Sequence, residues 1–142
     1  MATIRNVREV KRLMANAISF TEAARRIKGD ELFLWPPFYV CLYYAIELSF
    51  KAFLSSRGHS LGDLKKIGHG LRDLSDACVM ARFVYRDEAF SELINQIDGR
   101  LHDLRYLQGD SIEVVTADEA LNLVDGNLRL ISLEIPITDI HR

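Results

Sequence analysis

The chain has 142 residues, of which 49% are hydrophobic and 27% are charged. That is enough apolar material for one core, and we predict a single domain over residues 1–142. The formal net charge of −2 excludes a protein that is basic over its whole surface, as many nucleic-acid and membrane binders are. With only eight glycines and three prolines, a long disordered linker is also excluded.

The charge is unevenly distributed along the chain. Residues 1–28 hold seven basic side chains against two acidic ones, a net charge of +5, which leaves −7 for the remainder. This asymmetry favours self-association or an anionic ligand near the first helix. A helix face exposed to solvent is the simpler interpretation of the same residues.

Cysteine usage and the N-terminal segment both predict a cytoplasmic protein. Cys41 and Cys78 lie in apolar stretches, which is typical of small buried hydrophobic residues rather than of a disulfide. The first residues are basic and polar and lack the apolar core of a signal peptide. The most apolar segment, 33–50, is interrupted by two prolines and Glu47, so we predict a buried core helix there rather than a membrane span.

The first two predicted helices make up most of the N-terminal half. Apolar residues recur at three- and four-residue steps over residues 5–28, and Gly29 closes this helix. The second helix begins at the Pro36-Pro37 pair, where a missing N–H is tolerated, and runs to about Ser56. Because it is apolar on nearly all sides, we expect it at the centre of a bundle or in a dimer interface.

The segment 58–70 contains four glycines, and Ser60 with Asp63 has the capping-box spacing of a short helical turn. We predict a third helix over residues 71–85 and a fourth from about 87 to 109. Thr116 and Glu119 give a second capping box before a last helix that ends by Pro136. No segment shows sustained period-two alternation, so the predicted fold is an all-α antiparallel bundle of four to five helices.

The common enzymatic signatures are missing from the sequence. It contains neither a phosphate-binding glycine loop nor a GxGxxG, HExxH, CxxC or GxSxG motif. The histidines at 59, 69, 102 and 141 are not spaced as metal ligands on a helix. We therefore predict no cofactor and no metal site.

Two groups of polar residues are candidates for a binding site. Glu47 and Lys51 are one turn apart on the most apolar helix, where a charge is costly unless it is partnered. They form either a simple intrahelical ion pair or part of a cleft. His69, between Gly68 and Gly70, is suited to proton transfer near neutral pH, although a capping or packing role is more common.

The second group lies at the end of the predicted fourth helix. His102 and Arg105 are three residues apart, so they share a face that could hold a phosphate, and Tyr106 follows directly. Cations that complement the helix dipole at a solvated C-terminus are the simpler explanation.

The order of these segments resembles the HEPN superfamily of small helical domains. The resemblance is carried by the segments PPFYVCLYYAIELSFKAFLSSRG, LKKIGHGLRDL and LRYLQ and covers roughly residues 33 to 107. It rests on an ordered set of residues, namely Glu47, Lys51, Gly68, His69, Leu71, Leu74, Arg105 and Tyr106. The resemblance implies a helical bundle that dimerises.

Many catalytic members of that superfamily are metal-independent ribonucleases with an arginine, four to six intervening residues and then a histidine. No arginine here precedes a histidine at that spacing, so the family's catalytic assignment cannot be transferred. We therefore expect a non-catalytic, homodimeric binding or regulatory module for a nucleotide or an RNA phosphate. In this hypothesis Lys51, His69 and Arg105 face the anion, Glu47 orients Lys51, and Tyr106 offers a stacking or hydroxyl contact.

Three alternatives stay open at this point. The first is a divergent endoribonuclease in which His69 or His102 is the general base and Arg105 stabilises the phosphate charge. The second is a structural protein-interaction domain whose interface is the aromatic second helix. The third is a protein that works with a partner of the toxin–antitoxin type.

Overall fold

The computed structural model of the chain describes residues 4–29, 35–83, 88–101 and 116–135. These residues form six α-helices and no strand, which confirms the predicted all-α class. The helices are α1 (Ile4–Lys28), α2 (Trp35–Ser56), α3 (Leu61–Ile67), α4 (Leu71–Met80), α5 (Glu88–Ile97) and α6 (Ala117–Glu134). The described residues thus hold more than the four to five helices expected, because the segment after Ser60 forms a helix of its own.

Helix α2 is the core helix around which the others pack. It contacts α1, α3, α4 and α6, and Phe38, Leu42, Ile46, Phe50 and Phe53 on it are completely buried. Each such side chain contributes about 1.5–3 kcal/mol of hydrophobic stabilisation. The helix is long and apolar enough to cross a membrane, but 72% of its most apolar window is buried inside the protein, as in the core helix of a soluble protein.

Most aromatic residues of α2 are covered within one chain. Phe38, Tyr39, Tyr43, Phe50 and Phe53 are all buried, and the exposed large hydrophobic residues of the described chain lie on other elements. Trp35 and Tyr44 are partly buried. Helix α2 thus lies at the centre of the described helices, which is one of the two positions expected for it, and the dimer interface stays a prediction.

Both predicted capping boxes are present. The Ser60 hydroxyl accepts from the backbone N–H of Asp63 and the Asp63 carboxylate accepts from the Ser60 N–H, at 3.1 and 2.9 Å. Thr116 and Glu119 form the same reciprocal pair at the start of α6, at 3.1 and 3.2 Å. Each box satisfies two backbone donors that a helix N-terminus otherwise leaves unpaired.

Two helices end earlier than their patterns predict. Helix α4 stops at Met80, where Arg82 adopts φ 72° and the Phe83 N–H reaches back to the Cys78 carbonyl at 2.9 Å, the bonding pattern of a Schellman turn. Helix α5 stops at Ile97, because Gly99 has φ 74°. The remainder of the predicted fourth helix, residues 102–109, lies outside the described residues, as does Tyr85.

Much of the positive charge of α1 is used in ion pairs. Arg25 binds Asp125 at 2.9 Å and Lys28 lies 3.5 Å from Asp118, and both bonds join α1 to α6. Arg12 pairs with Glu9 one turn earlier on α1. Nearby carboxylates raise the pKa of both arginines, chiefly through the hydrogen bonds that Arg25 donates to Asp125 and that Arg12 donates to Glu9.

Candidate functional site

Glu47 is the centre of a charged cluster on α2, although it is only 4% exposed. Its Oε2 accepts from Lys51 Nζ at 2.7 Å and lies 2.9 Å from His69 Nδ1. We call Glu47, Lys51 and His69 the Glu47 cluster. A carboxylate this deeply buried is tolerated only where cations or donors compensate it. The structure thus brings together three of the five predicted site residues.

The imidazole of His69 is fixed at one edge and exposed at the other. Its side chain is 77% exposed, yet Nδ1 is held by the buried Glu47 carboxylate. Because an ionised carboxylate can only accept hydrogen bonds, Nδ1 carries the proton of this contact. The second ring nitrogen, Nε2, is therefore the one presented for chemistry with a bound molecule.

The backbone around His69 is also held in place. Gly68 has φ 89° and ψ −150°, a conformation that essentially only glycine adopts, and its N–H donates to the Leu64 carbonyl at 3.1 Å. The Tyr43 hydroxyl donates to the His69 carbonyl at 2.6 Å. Burial raises the pKa of Tyr43, and the charges of Asp98 and Glu47 raise it further, so the phenol stays protonated and remains a donor.

A groove of about 290 Å³ opens beside this cluster, between α1, α2, α3 and the loop that follows α3. Leucines and charged side chains share its lining. The residues that line it are Glu9, Arg12, Leu13, Leu48, Lys51, Leu61, Leu64, Lys65, Gly68 and His69. It therefore combines an apolar surface with cations from three helices.

The charged residues of the lining have an excess of positive charge. Arg12, Lys51 and Lys65 outweigh Glu9 by two charges, and by one charge when the adjacent Glu47 is included. Lys65 is exposed and forms no ion pair with any residue the structure describes. The groove therefore favours an anion, and its partly enclosed shape reduces solvent screening of that attraction.

The other two predicted site residues, Arg105 and Tyr106, lie outside the described residues, as does His102. Convergence of Lys51, His69 and Arg105 on one surface was expected for a binding site. Lys51 and His69 do share the groove. The contribution of Arg105 and Tyr106 stays a prediction.

Sequence reasoning missed several residues that build this site. Tyr43 stands one turn before Glu47, which stands one turn before Lys51, and this four-residue spacing was an available signal. Lys65 lies within the glycine-containing segment already singled out. Arg12 belongs to the basic first helix that favoured an anionic ligand, but only the packing of α1 against α2 brings it to this groove.

One feature of the Glu47 cluster is costly for stability. Oε1 of Glu47 is buried and has no hydrogen-bond partner among the described residues, while Oε2 serves both Lys51 and His69. An unsatisfied buried acceptor costs about 1–3 kcal/mol. Costs of this kind are concentrated at functional sites, where geometry is selected over stability.

Among the residues described, no group of three histidine, cysteine or acidic side chains is placed to hold a metal ion.

Comparisons of the chain with protein-family models, with curated proteins and with solved structures give no match. The chemistry of the groove is therefore the main guide to what this chain binds.

Proposed function

We propose that this chain is a HEPN-like helical domain, a non-catalytic and homodimeric binding module that holds the phosphate of a nucleotide or RNA in the groove. The observation that carries the proposal is the shared position of Lys51, Lys65 and His69 on that groove, with the buried Glu47 fixing two of them. Lysine ammonium groups donate hydrogen bonds to phosphate oxygens. His69 does so through Nε2 when its ring is doubly protonated, with the Nδ1 proton still facing Glu47.

The groove offers a phosphate compound two kinds of contact. Lys65 and the Nε2 edge of His69 are exposed and can reach an incoming anion, while Lys51 lies deeper, with a side chain 13% exposed. A charge at that depth acts through less water and is less screened by salt. Leu61 and Leu64 present apolar surface beside these cations, where the sugar or base of a nucleotide would pack.

The resemblance to HEPN domains supports the same function from a different direction. The residues that carry it include Glu47 and Lys51, one turn apart on α2, and His69, which is 22 residues from Glu47 and meets it in one cluster. The all-α fold of the described residues agrees with a HEPN-like bundle of antiparallel helices. Arg105 and Tyr106 belong to the proposed site on the resemblance alone.

The homodimer is proposed from the resemblance, since most aromatic side chains of α2 are buried in one chain. Sedimentation velocity at about 50 µM, a concentration at which typical stable interfaces persist, measures it directly. A monomer under those conditions would remove the dimer from the proposal and leave the groove unaffected.

Titration of the purified protein with AMP, inorganic phosphate and a short RNA tests the proposal by calorimetry. Lys65→Ala should weaken binding about tenfold, the equivalent of one charge-assisted hydrogen bond. Lys66→Ala is the matched control, because Lys66 is an exposed neighbour on α3 that does not line the groove. Equal effects of the two variants, or no binding by the wild type, would contradict the proposal. Mass spectrometry of co-purifying nucleotide or RNA would identify the natural ligand.

A ribonuclease is the second candidate, and the contact between Glu47 and His69 is the specific observation that favours it. A carboxylate that holds one ring nitrogen orients the other as a general base, here toward a ribose 2′-hydroxyl in the groove. The absence of an arginine at the family's spacing from a histidine argues against it. We expect no RNA cleavage in the presence of EDTA; cleavage that disappears in His69→Ala would replace the binding module with the ribonuclease.

A further inference from the structure

The N-terminus of α4 is capped by a side chain from another part of the chain. Its N-cap residue is Gly70, which has no side chain to accept from the first backbone N–H groups. Asp98 takes that role from the end of α5: Oδ1 accepts from the Leu71 N–H at 2.8 Å and Oδ2 from the Arg72 N–H at 3.2 Å. A negative charge at a helix N-terminus also complements the helix dipole.

The backbone geometry explains how Asp98 comes to lie there. The Asp98 N–H still donates to the Ile94 carbonyl at 2.8 Å, so its backbone continues the last turn of α5. Gly99 then leaves the helix at φ 74°, a left-handed conformation that costs glycine little. Asp98 therefore directly follows α5 and stays bonded to its last turn, which places its carboxylate at the start of α4.

His69 directly precedes the segment that Asp98 caps. Its carbonyl accepts from the Tyr43 hydroxyl, and its Nδ1 contacts Glu47. Leu71, two residues later, is completely buried and bonded to Asp98. The glycine-flanked loop that carries His69 is thus held by α2 on one side, and the backbone that follows it is held by Asp98 on the other.

We propose that Asp98 is a positioning residue of the groove, which acts with Tyr43 to hold the His69 loop so that the imidazole stays against Glu47. The expected loss of phosphate binding rests on the proposed function. The expected effect on the position of the His69 imidazole does not. The groove then depends on the junction after α5, although none of the residues described there, 98–101, lines it.

Asp98→Asn tests this, because the amide keeps the shape, loses the charge and retains only one accepting oxygen. Asp73→Asn is the matched control: Asp73 is also in the first turn of α4, so its removal alters the helix dipole in the same way. Long-range ¹H–¹⁵N spectra report the protonation and averaging of the His69 ring nitrogens. Calorimetry with inorganic phosphate reports the affinity.

We expect Asp98→Asn to shift the His69 nitrogen signals toward those of an unrestrained histidine and to weaken phosphate binding about tenfold. Asp73→Asn should leave both unchanged. Unaltered His69 signals in a folded Asp98→Asn protein would overturn the proposal, even if its stability falls, because Asp98 would then be only a helix cap.

A second variant keeps the test decisive if Asp98→Asn does not fold. Tyr43→Phe removes only the hydroxyl that holds the His69 carbonyl, and it should shift the same nitrogen signals while the ring stays packed. Unchanged signals in Tyr43→Phe would overturn the proposal. If the wild type binds no phosphate, the proposed function fails, yet the His69 spectra still decide whether Asp98 and Tyr43 position the loop.

Discussion

Helix α2 carries two buried polar clusters, and they differ in what surrounds them. Glu47 faces Lys51 and the His69 loop beside the groove. Two residues later, Ser49 is completely buried and accepts from Asn127 Nδ2 of α6 at 3.3 Å, while its own hydroxyl donates to the Ile46 carbonyl at 2.8 Å. At 100° per residue, the two positions point to different sides of the helix.

Within the described part of the chain, each of the two clusters contains one buried oxygen without a hydrogen-bond partner, but only one of the clusters is charged. Glu47 Oε1 and Asn127 Oδ1 are both buried without a partner among the described residues. The Ser49–Asn127 pair is neutral and enclosed, so it specifies how α6 sits on α2. The Glu47 cluster is charged and ends in an exposed imidazole at a groove. A polar group inside a core thus indicates function when it is ionised and connected to solvent, and packing specificity when it is neither.

Replacing Glu47 should have the largest effect on stability. Glu47→Leu leaves Lys51 with little exposure and no counter-charge, and loss of one partner of a buried pair costs about 3–5 kcal/mol. The double variant Glu47→Leu/Lys51→Met removes both charges, and we expect it to be as stable as the wild type or more stable by about 1–4 kcal/mol.

Urea unfolding measures both variants, and phosphate titration separates stability from function. The double variant should fold well and bind phosphate far more weakly. If it is much less stable than the wild type, the ion pair is a structural element and the contrast between the two clusters on α2 is lost.

The neutral cluster should behave in the opposite way. Ser49→Ala leaves Asn127 without its hydrogen bond inside the core, which should lower the free energy of unfolding by about 1–3 kcal/mol. Phosphate affinity should stay within about twofold of the wild type, since Ser49 does not line the groove. A large loss of affinity in a folded Ser49→Ala protein would show that the two sides of α2 are coupled.

The helices were largely predictable from sequence because local signals agree with the fold. The capping boxes at Ser60 and Thr116 and the apolar period of α1 and α2 depend only on neighbours along the chain. The early end of α5 was also encoded, since Asp98-Gly99 is a turn-forming dipeptide, but the apolar pattern around it obscured the signal.

The site was predictable only in part, for the same physical reason. Glu47 and Lys51 are one turn apart and can be paired from sequence. The contact between Glu47 and His69, 22 residues apart, was suggested by resemblance and not by spacing. Arg12 and Asp98 reach the site through the packing of α1 and α5, and no local pattern specifies such long-range contacts.

Each of the two capping boxes starts a helix that packs near one of the two polar clusters of α2. Ser60 caps α3, which supplies Leu61, Leu64 and Lys65 to the groove, while Thr116 caps α6, which carries Asn127. Ser60→Ala and Thr116→Ala should each cost about 0.5–2 kcal/mol. Only Ser60→Ala should also weaken phosphate binding. Comparable losses of affinity in both variants would mean that the groove responds to overall stability and not to α3.

The smallest expected effect is the pH dependence of the α3 cap. The Ser60 backbone N–H and hydroxyl hold the pKa of Asp63 below its usual value, so the ionised form favours the folded cap. A lowered folded-state pKa means that this stabilisation is complete above the unfolded-state pKa, near 3.8. It is lost as the pH falls through the lower folded value.

We therefore expect the amide signals of residues 61–67 to report fraying of α3 as the pH falls below about 3.8, with the core signals of α2 unchanged. Asp63→Asn keeps an accepting oxygen and cannot titrate, so in that variant the same signals should stay constant with pH. Because Asp63 is exposed, water screens the interaction and the change should be confined to α3. Identical acid fraying in the wild type and in Asp63→Asn would show that another group causes the pH dependence of α3, the helix that borders the groove.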